Sequence, residues 1–252
     1  MNTRKYTYLR LQEYIYFFII ILIIVSCKKE PLSVPVKFTS TSYQSLATYD
    51  SSGRPFNLVA PDTVSPALLS FIATTLPERQ DLSKSHPELL STNAIADIGI
   101  TTPSDVFITY ISDGTGYSNT FAYYTYTTGQ SLTSTKDIKT IIYVFPNAGA
   151  NTTLKSGDKV KLGRFAPGIS IGFVILKSGW DTKTQTIDNT VVHFCSNDIL
   201  NPEVAPNLKK HAVIINYPAE NKVLIGFEDI DRTDPACDND FNDMMFYCTL
   251  VP

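Results

Sequence analysis

The sequence predicts an all-β fold, an antiparallel, jelly-roll-like β-sandwich with a short helical segment near its N-terminus. Three observations carry that expectation. From Asp105 onward, apolar and polar residues alternate with period two in short runs rich in Val, Ile, Tyr, Phe and Thr. Turn formers punctuate those runs at Asp113-Gly114, Gly129, Asn147-Ala148-Gly149, Ser156-Gly157-Asp158, Gly168, Gly179 and Pro218. Of 252 residues, 43% are apolar and only 18% charged, below the ~25% charged fraction usual for soluble domains. Strands that give half their side chains to a core produce that balance. No repeat of fixed period is present, which argues against a solenoid or a propeller.

The first 26 residues read as an address. Arg4, Lys5 and Arg10 precede an apolar stretch from Tyr14 to Val25, twelve residues long, against the ~20 that a spanning helix needs. A basic start, a short apolar centre and a small residue describe a secretory signal peptide over residues 1–26. Ile24-Val25-Ser26-Cys27 resembles a bacterial lipobox, whose cysteine becomes the lipid-modified first residue after cleavage. Each acyl CH₂ buried in the bilayer then adds ~0.8 kcal/mol of attachment. Lys28 rather than Asp behind Cys27 points to the outer membrane, on either its periplasmic or its extracellular face. Residues 27–45 are polar and Pro-bearing with no sustained period, and read as a lipidated tether. The membrane, reached through this anchor, is therefore an expected partner. A net charge of −3 provides no basic excess for a phosphate backbone, so nucleic acid is not expected as one.

Residues 46–103 read as an N-terminal extension with short helices. Tyr49-Asp-Ser-Ser-Gly-Arg-Pro55 is a turn signature. Ser65 is placed to cap a helix and Pro66 suits its first position, while Val64, Leu68, Phe71, Ile72 and Leu76 recur at helical spacing until Pro77 stops it. Ser85-His86-Pro87-Glu88-Leu89-Leu90 repeats the pattern as a shorter turn. The β-sandwich domain follows over residues 104–252. Its strands are expected at Val106–Ile111, Thr120–Tyr126, Lys139–Phe145, Lys159–Phe165, Ile169–Leu176, Val191–Cys195, Ala212–Tyr217, Lys222–Phe227 and Met244–Leu250.

Beyond Cys27 the cysteines are Cys195, Cys237 and Cys248. An exported protein permits a disulfide, and a Cys237–Cys248 bridge would staple the segment between them. Without a dense cysteine framework, free and mostly buried thiols are expected instead. No C-x-x-C occurs, so neither zinc nor thioredoxin-like chemistry is supported. His86, His193 and His211 are far apart, and His193 on an apolar strand reads as a hydrogen-bonded core residue.

The most informative stretch is Gly226-Phe-Glu-Asp-Ile-Asp-Arg-Thr-Asp-Pro-Ala-Cys-Asp-Asn-Asp-Phe-Asn-Asp243. Seven acids (Glu228, Asp229, Asp231, Asp234, Asp238, Asp240 and Asp243) face one base, Arg232, for a net of −6 in eighteen residues. The whole chain from Cys27 onward is only −5, so nearly all its negative charge is concentrated here. Two carboxylates 4 Å apart repel by ~4 kcal/mol at an effective dielectric near 20. Apolar strands flank the segment on both sides, so it cannot drift into solvent. Either the acids splay outward, making Asx turns and caps, or a cation gathers them.

A hard divalent ion does this with six to eight oxygen ligands, and Ca²⁺ is the usual one outside the cytoplasm. Asp238, Asp240 and Asn242 follow the D-x-D-x-N rhythm of calcium loops. The segment is not an EF-hand, because Asp243 stands where that loop needs glycine and Thr249 where it needs a bidentate glutamate. Glu228 and Asp229 can supply the remaining oxygens from the preceding strand. Magnesium fits less well, since it favours octahedral geometry with retained waters.

Gly226-Phe-Glu-Asp229, Asp238-Asn-Asp-Phe-Asn-Asp243 and the apolar run to Tyr247 together resemble the signature of a bacterial family known as domain of unknown function 4114. Further similarity lies in Ser112–Asn119, Ala122-Tyr-Tyr124, Phe145-Pro-Asn147, Leu154–Asp158, Ala166-Pro-Gly168, Gly179-Trp180, Leu200-Asn-Pro-Glu203 and His211, covering about residues 104–251. The resemblance implies a secreted or surface β domain of the kind found on Bacteroidetes lipoproteins. Its acidic residues would serve metal binding or catalysis, with no known reaction attached. It adds Asp113 as a candidate ligand, because members commonly carry an acid and a glycine where this chain has Asp113-Gly114. Thr115 departs from the pattern, which favours a small apolar residue there, and is expected to leave the ligands untouched.

Three functions follow. The first is a surface module, stabilised by calcium, that binds or adheres to a glycan or a surface protein. Tyr123, Tyr124, Tyr126 and Trp180 are its candidate sugar-stacking aromatics where exposed, although aromatics on strands more often belong to the core. The second is a glycan-directed hydrolase using two of the acids. It is disfavoured, because the acids crowd one segment instead of facing each other ~5–9 Å apart across a cleft, and no G-x-S-x-G, H-E-x-x-H or phosphate loop is present. The third is a structural subunit of a surface assembly, joined by strand exchange from residues 28–60. The expected metal ligands are Glu228, Asp229, Asp238, Asp240, Asn242, Asp243 and Asp113, with Cys27 as the lipidation site.

Overall fold

Residues 37–252 are described by a computed structural model. The signal peptide, Cys27 and the first part of the tether lie outside these described residues. Fourteen strands follow in chain order: β1 (Ser42–Ser45), β2 (Leu58–Val59), β3 (Ile98–Gly99), β4 (Ser104–Asp113), β5 (Thr120–Thr127), β6 (Thr140–Phe145), β7 (Lys159–Phe165), β8 (Ile169–Leu176), β9 (Trp180–Asp181), β10 (Thr186–Ile187), β11 (His193–Cys195), β12 (Ala212–Tyr217), β13 (Lys222–Phe227) and β14 (Met244–Val251). All nine expected strands are among them, within a few residues at their ends. Two six-stranded sheets result. One runs β1-β6-β5-β8-β11, with β3 also pairing to β8; the other runs β12-β13-β14-β4-β7-β2. A small hairpin, β9 with β10, stands apart.

Pairing is antiparallel throughout except where β1 lies parallel to β6, Ser42 opposite Thr140 through Ser45 opposite Tyr143. The fold is thus an all-β sandwich. Its core is aromatic: Phe121 stacks on Phe246 with ring centres 3.9 Å apart, and Phe145, Phe173 and Phe227 surround the pair. Alternation on β14 sends Met244, Phe246 and Cys248 into this core and Met245 and Tyr247 to the opposite face.

The outer faces are covered as well. On the second sheet, helix α1 (Pro66–Thr75) lays Leu68 and Leu76 with Leu82 over Ile111, Val213, Leu224, Met245 and Tyr247. Ser65 caps α1 as expected, accepting from Leu68 N at 3.0 Å, with Pro66 at its first position. A short helix α2 (Leu82–Ser85) and a 3₁₀ turn over Pro87–Leu90 follow. On the first sheet, Phe38, Ile138 and Leu200 cover Tyr124, Val174 and Leu176. Strands buried on both faces read as nearly unbroken apolar runs, as β8 does, and this accounts for the low charge content.

Covering both faces corrects two expectations. Tyr123 (3% exposed), Tyr124 (0%) and Trp180 (3%) are core residues, and Tyr126 is half-buried with its hydroxyl donating to Asp97 at 2.6 Å. None of the four is a free sugar-stacking platform. Gly172 permits this, because a Cβ there would come within 2.1 Å of the Tyr124 ring.

The boundaries also move. The tether expected over residues 27–45 ends earlier, for Thr41 Oγ1 donates to Ile138 O at 2.7 Å and β1 joins the first sheet. The extension expected over residues 46–103 contributes β2 to the second sheet and β3 to the first, so the sandwich is not confined to residues 104–252. His193 is the hydrogen-bonded core residue it was expected to be, with Nδ1 2.8 Å from Val191 O and Nε2 3.0 Å from the Tyr43 hydroxyl. Among the described residues the cysteines are free: Cys195 and Cys248 are buried and Cys237 partly so.

Candidate metal centre

The acidic segment is the connection from β13 to β14, held at both ends by the ladder that sets Phe227 opposite Met244 and Gly226 opposite Met245. Next to it, β4 pairs Asp113 with Met244, and Gly114 N donates to Asp243 O at 2.9 Å. Two features fold the connection back over the sheet. A Cβ at Gly226 would lie 2.4 Å from Phe241 O and 3.1 Å from a Leu76 methyl, so only glycine admits that approach. Phe241 is completely buried against the α1 layer and carries a left-handed backbone, φ +58°, as does Asn239 at +60°. A bulky residue in that region costs about 1–3 kcal/mol and persists only where its surroundings fix it. Burial of the Phe241 ring under Arg232, whose guanidinium carbon is 5.2 Å away, does the fixing.

The seven acids divide. Asp231 and Asp234 make local turns: Asp231 Oδ1 accepts from Thr233 N at 2.8 Å, and Asp234 Oδ1 from Ala236 N at 2.9 Å. The other five converge as two triads. Glu228, Asp229 and Asp243 form one, and Glu228, Asp238 and Asp240 the other, with the ligand atoms of each triad within 4.8 Å of one another. Calcium–oxygen bonds of 2.3–2.6 Å set ligand atoms at most ~5 Å apart across one ion. Both triads therefore match a single-ion cage in size.

Burial makes this crowding costly. Glu228 is 0% exposed, Asp229 1% and Asp240 2%. Glu228 Oε1 accepts from Ile230 N at 3.3 Å, while its Oε2 is buried with no hydrogen-bond partner. Burial above all, then the negative charge of Asp229 and Glu228, pushes the Asp243 carboxyl up to about 9. Burial likewise raises Glu228, Asp229 and Asp240. Donors from other elements partly offset the cost: Asn119 Nδ2 and the Thr115 hydroxyl both donate to Asp229 Oδ2, and Arg79 N donates to Asp240 Oδ2 at 2.8 Å. Asp229 N in turn donates to Asp243 Oδ2 at 2.8 Å. The donor set is all carboxylate, which suits a hard cation. Burial above all, and the charge of Glu228, raise the pKa of the nearby Cys237 thiol.

Two expected ligands make hydrogen bonds elsewhere. Asp113 belongs to neither triad; its Oδ2 accepts the Tyr110 hydroxyl at 2.6 Å. Asn242 donates Nδ2 to Leu76 O at 3.2 Å, tying the loop to the end of α1. Thr115 was expected to leave the ligands untouched, but its hydroxyl reaches Asp229 directly.

A supporting pair also escaped the sequence reading. His211 sets Nδ1 2.9 Å from Glu228 O and Nε2 2.7 Å from Glu203 Oε1, with all of this buried and Phe194 stacked at 3.8 Å. A carbonyl only accepts, so Nδ1 carries the proton and fixes the backbone that presents Glu228. The one signal of this role was the family resemblance at Glu203 and His211.

Fold and site together define a β-sandwich with a buried, all-carboxylate centre on the connection between two adjacent strands. Residues 165–250 match the family described as Domain of unknown function (DUF4114). That match runs from the end of β7 into β14 and contains the whole acidic segment. No curated protein and no solved structure matches the chain.

The raised carboxyls carry a pH signature. Asp243 keeps its proton in the folded state up to about pH 9, whereas an unfolded aspartate releases it near pH 4. In the presence of chelator, the contribution of Asp243 to stability is therefore fully present below about pH 4 and is lost as pH rises towards 9, by at most ~1.4 kcal/mol per pH unit for each proton retained. Asp243→Asn is expected to flatten this slope and to raise the melting temperature at pH 8. Denaturant titrations across that range check both; an unchanged slope would remove the claim of mutual repulsion.

Proposed function

We propose that this protein is a lipid-anchored protein of the outer membrane or cell surface, whose calcium-binding β-sandwich acts as a binding or adhesion module. The observation that carries the reading is Glu228: a fully buried carboxylate, unpartnered at Oε2 and shared by two acidic triads. A divalent cation converts the repulsion among these groups into attraction and ties β13, β14, the Thr115–Asn119 turn and the Arg79 segment into one unit. Calcium is preferred over magnesium because it accepts irregular, oxygen-only cages without retained waters. Beside the cluster, a cleft of about 310 Å³ between the end of α1 and Asp113-Gly114 offers a concave surface for a ligand of the module, glycan or protein.

A glycan-directed hydrolase is less well supported. Its two carboxyls stand ~5–9 Å apart across the substrate, one raised and one ordinary. Here all three members of the Glu228, Asp229 and Asp243 triad are raised and lie within 4.8 Å.

The lipid anchor rests on the leader and Ile24-Val25-Ser26-Cys27. Among the described residues, no helix is long and apolar enough to cross a membrane. Cys27→Ser is expected to abolish incorporation of labelled palmitate in bacterial cells; continued labelling would overturn the anchor.

For the calcium site, the full chain in detergent is expected to melt at a higher temperature with millimolar Ca²⁺, reversibly on chelation. Free ion at 100 times the dissociation constant contributes ~2.7 kcal/mol, a rise of roughly 5–10 °C at this size. An equal concentration of Mg²⁺ should give a smaller rise and Glu228→Gln none. Absence of any shift in the unmutated chain would refute the calcium reading.

A further inference from the structure

We infer that the centre holds two divalent cations bridged by the Glu228 carboxylate, rather than one. The inference rests on the cation-binding reading above and deepens it. Two groups, each with its ligand atoms within 4.8 Å of one another, share one residue: Glu228 is grouped with Asp229 and Asp243 in one and with Asp238 and Asp240 in the other. An ion bonded at 2.3–2.6 Å spans one such group. A single cation seated with Asp229 and Asp243 leaves Asp238 and Asp240 facing Glu228 uncompensated, and the converse placement leaves the other pair.

Charge points the same way. Five carboxylates around one divalent ion keep an excess of three negative charges, at a site where Glu228, Asp229 and Asp240 are no more than 2% exposed. Two ions reduce that excess to one. Arg232 balances the last charge: it is buried alongside and donates Nε to Asn239 Oδ1 at 2.7 Å, between Asp238 and Asp240 in the chain. The unpartnered Oε2 of Glu228 is the independent mark of the bridge. With Oε1 already accepting from Ile230 N, Oε2 is the buried oxygen left for the ions.

The two positions differ in access. In the triad with Asp229 and Asp243, Asp229 is buried and braced by Thr115 and Asn119, and Asp243 is partly buried. The triad with Asp238 and Asp240 meets solvent at Asp238, which is exposed. The geometry therefore assigns an inner structural ion and an outer ion that exchanges with the medium, and the outer one has coordination positions open to an oxygen-rich ligand.

Equilibrium dialysis of the full chain in detergent against radioactive Ca²⁺, with native mass spectrometry, reads the stoichiometry directly. Two equivalents are expected, the second weaker. Asp238→Asn with Asp240→Asn should leave one; because Asp240 is buried and accepts from Arg79 N, its melting curve is recorded too, and the exposed Asp238→Asn alone should weaken the second equivalent without a loss of stability. Asp229→Asn provides the complementary loss, with its melting curve recorded alongside. One equivalent in the unmutated chain would overturn the bridged pair and leave the single-ion reading standing, while none would overturn both. Two equivalents retained in the Asp238→Asn, Asp240→Asn chain would overturn the assignment of the outer site.

Discussion

The structure depends on one constraint: a segment dense in carboxylates is clamped at both ends into a buried antiparallel ladder. β13 delivers Glu228 and Asp229 at its end, and β14 begins one residue after Asp243. Because Phe227 and Met244 are paired and buried, their chain neighbours Glu228 and Asp243 are held close to one another. Carboxylates taken out of water in this way must be protonated, paired or ligated. Burial and mutual repulsion push their carboxyls upward, as is clearest at Asp243.

Much of the surrounding chain can be understood as support for that arrangement. Gly226 yields the space that Phe241 O occupies, Phe241 accepts a strained backbone in return for burial, and Arg232 covers its ring. His211 and Glu203 hold the carbonyl of Glu228 from the core side, and Thr115 and Asn119 hold Asp229 from the turn that links the sheets. Segments far apart in sequence are thereby committed to one centre. An ion there would bear on the stability of both sheets, since β4 and β5 flank the Thr115–Asn119 turn.

The fold was largely legible because the nine expected strands are rich in Val, Ile, Tyr, Phe and Thr and are separated by strong turn formers. What escaped notice was short or polar. β2, β3, β9 and β10 have two residues each, too few to show a period. β1, Ser42-Tyr-Gln-Ser45, is a short and mostly polar edge strand paired on one side, so it resembled a linker. The strand aromatics were misjudged because a second layer covers each sheet, and nothing local in Tyr124 or Trp180 announces a partner such as Phe38 or Tyr49. At the site, density of charge between apolar flanks identified five acids that do converge. The expected ligands already left out Asp231 and Asp234, which make local turns with their own backbone. Charge density could not foresee that Tyr110 takes up Asp113, or that Asn242 bonds to α1. Thr115, Arg79 and Asn119 come from other elements, and only the folded chain brings them to the acids.

Anomalous X-ray scattering from crystals of the protein grown with calcium tests the central claim most directly. The account expects scattering peaks within 2.3–2.6 Å of the Glu228 carboxylate, enclosed by oxygens of Asp229 and Asp243 or of Asp238 and Asp240. Density showing these side chains ordered but turned apart into water, with no scatterer between them, would contradict it.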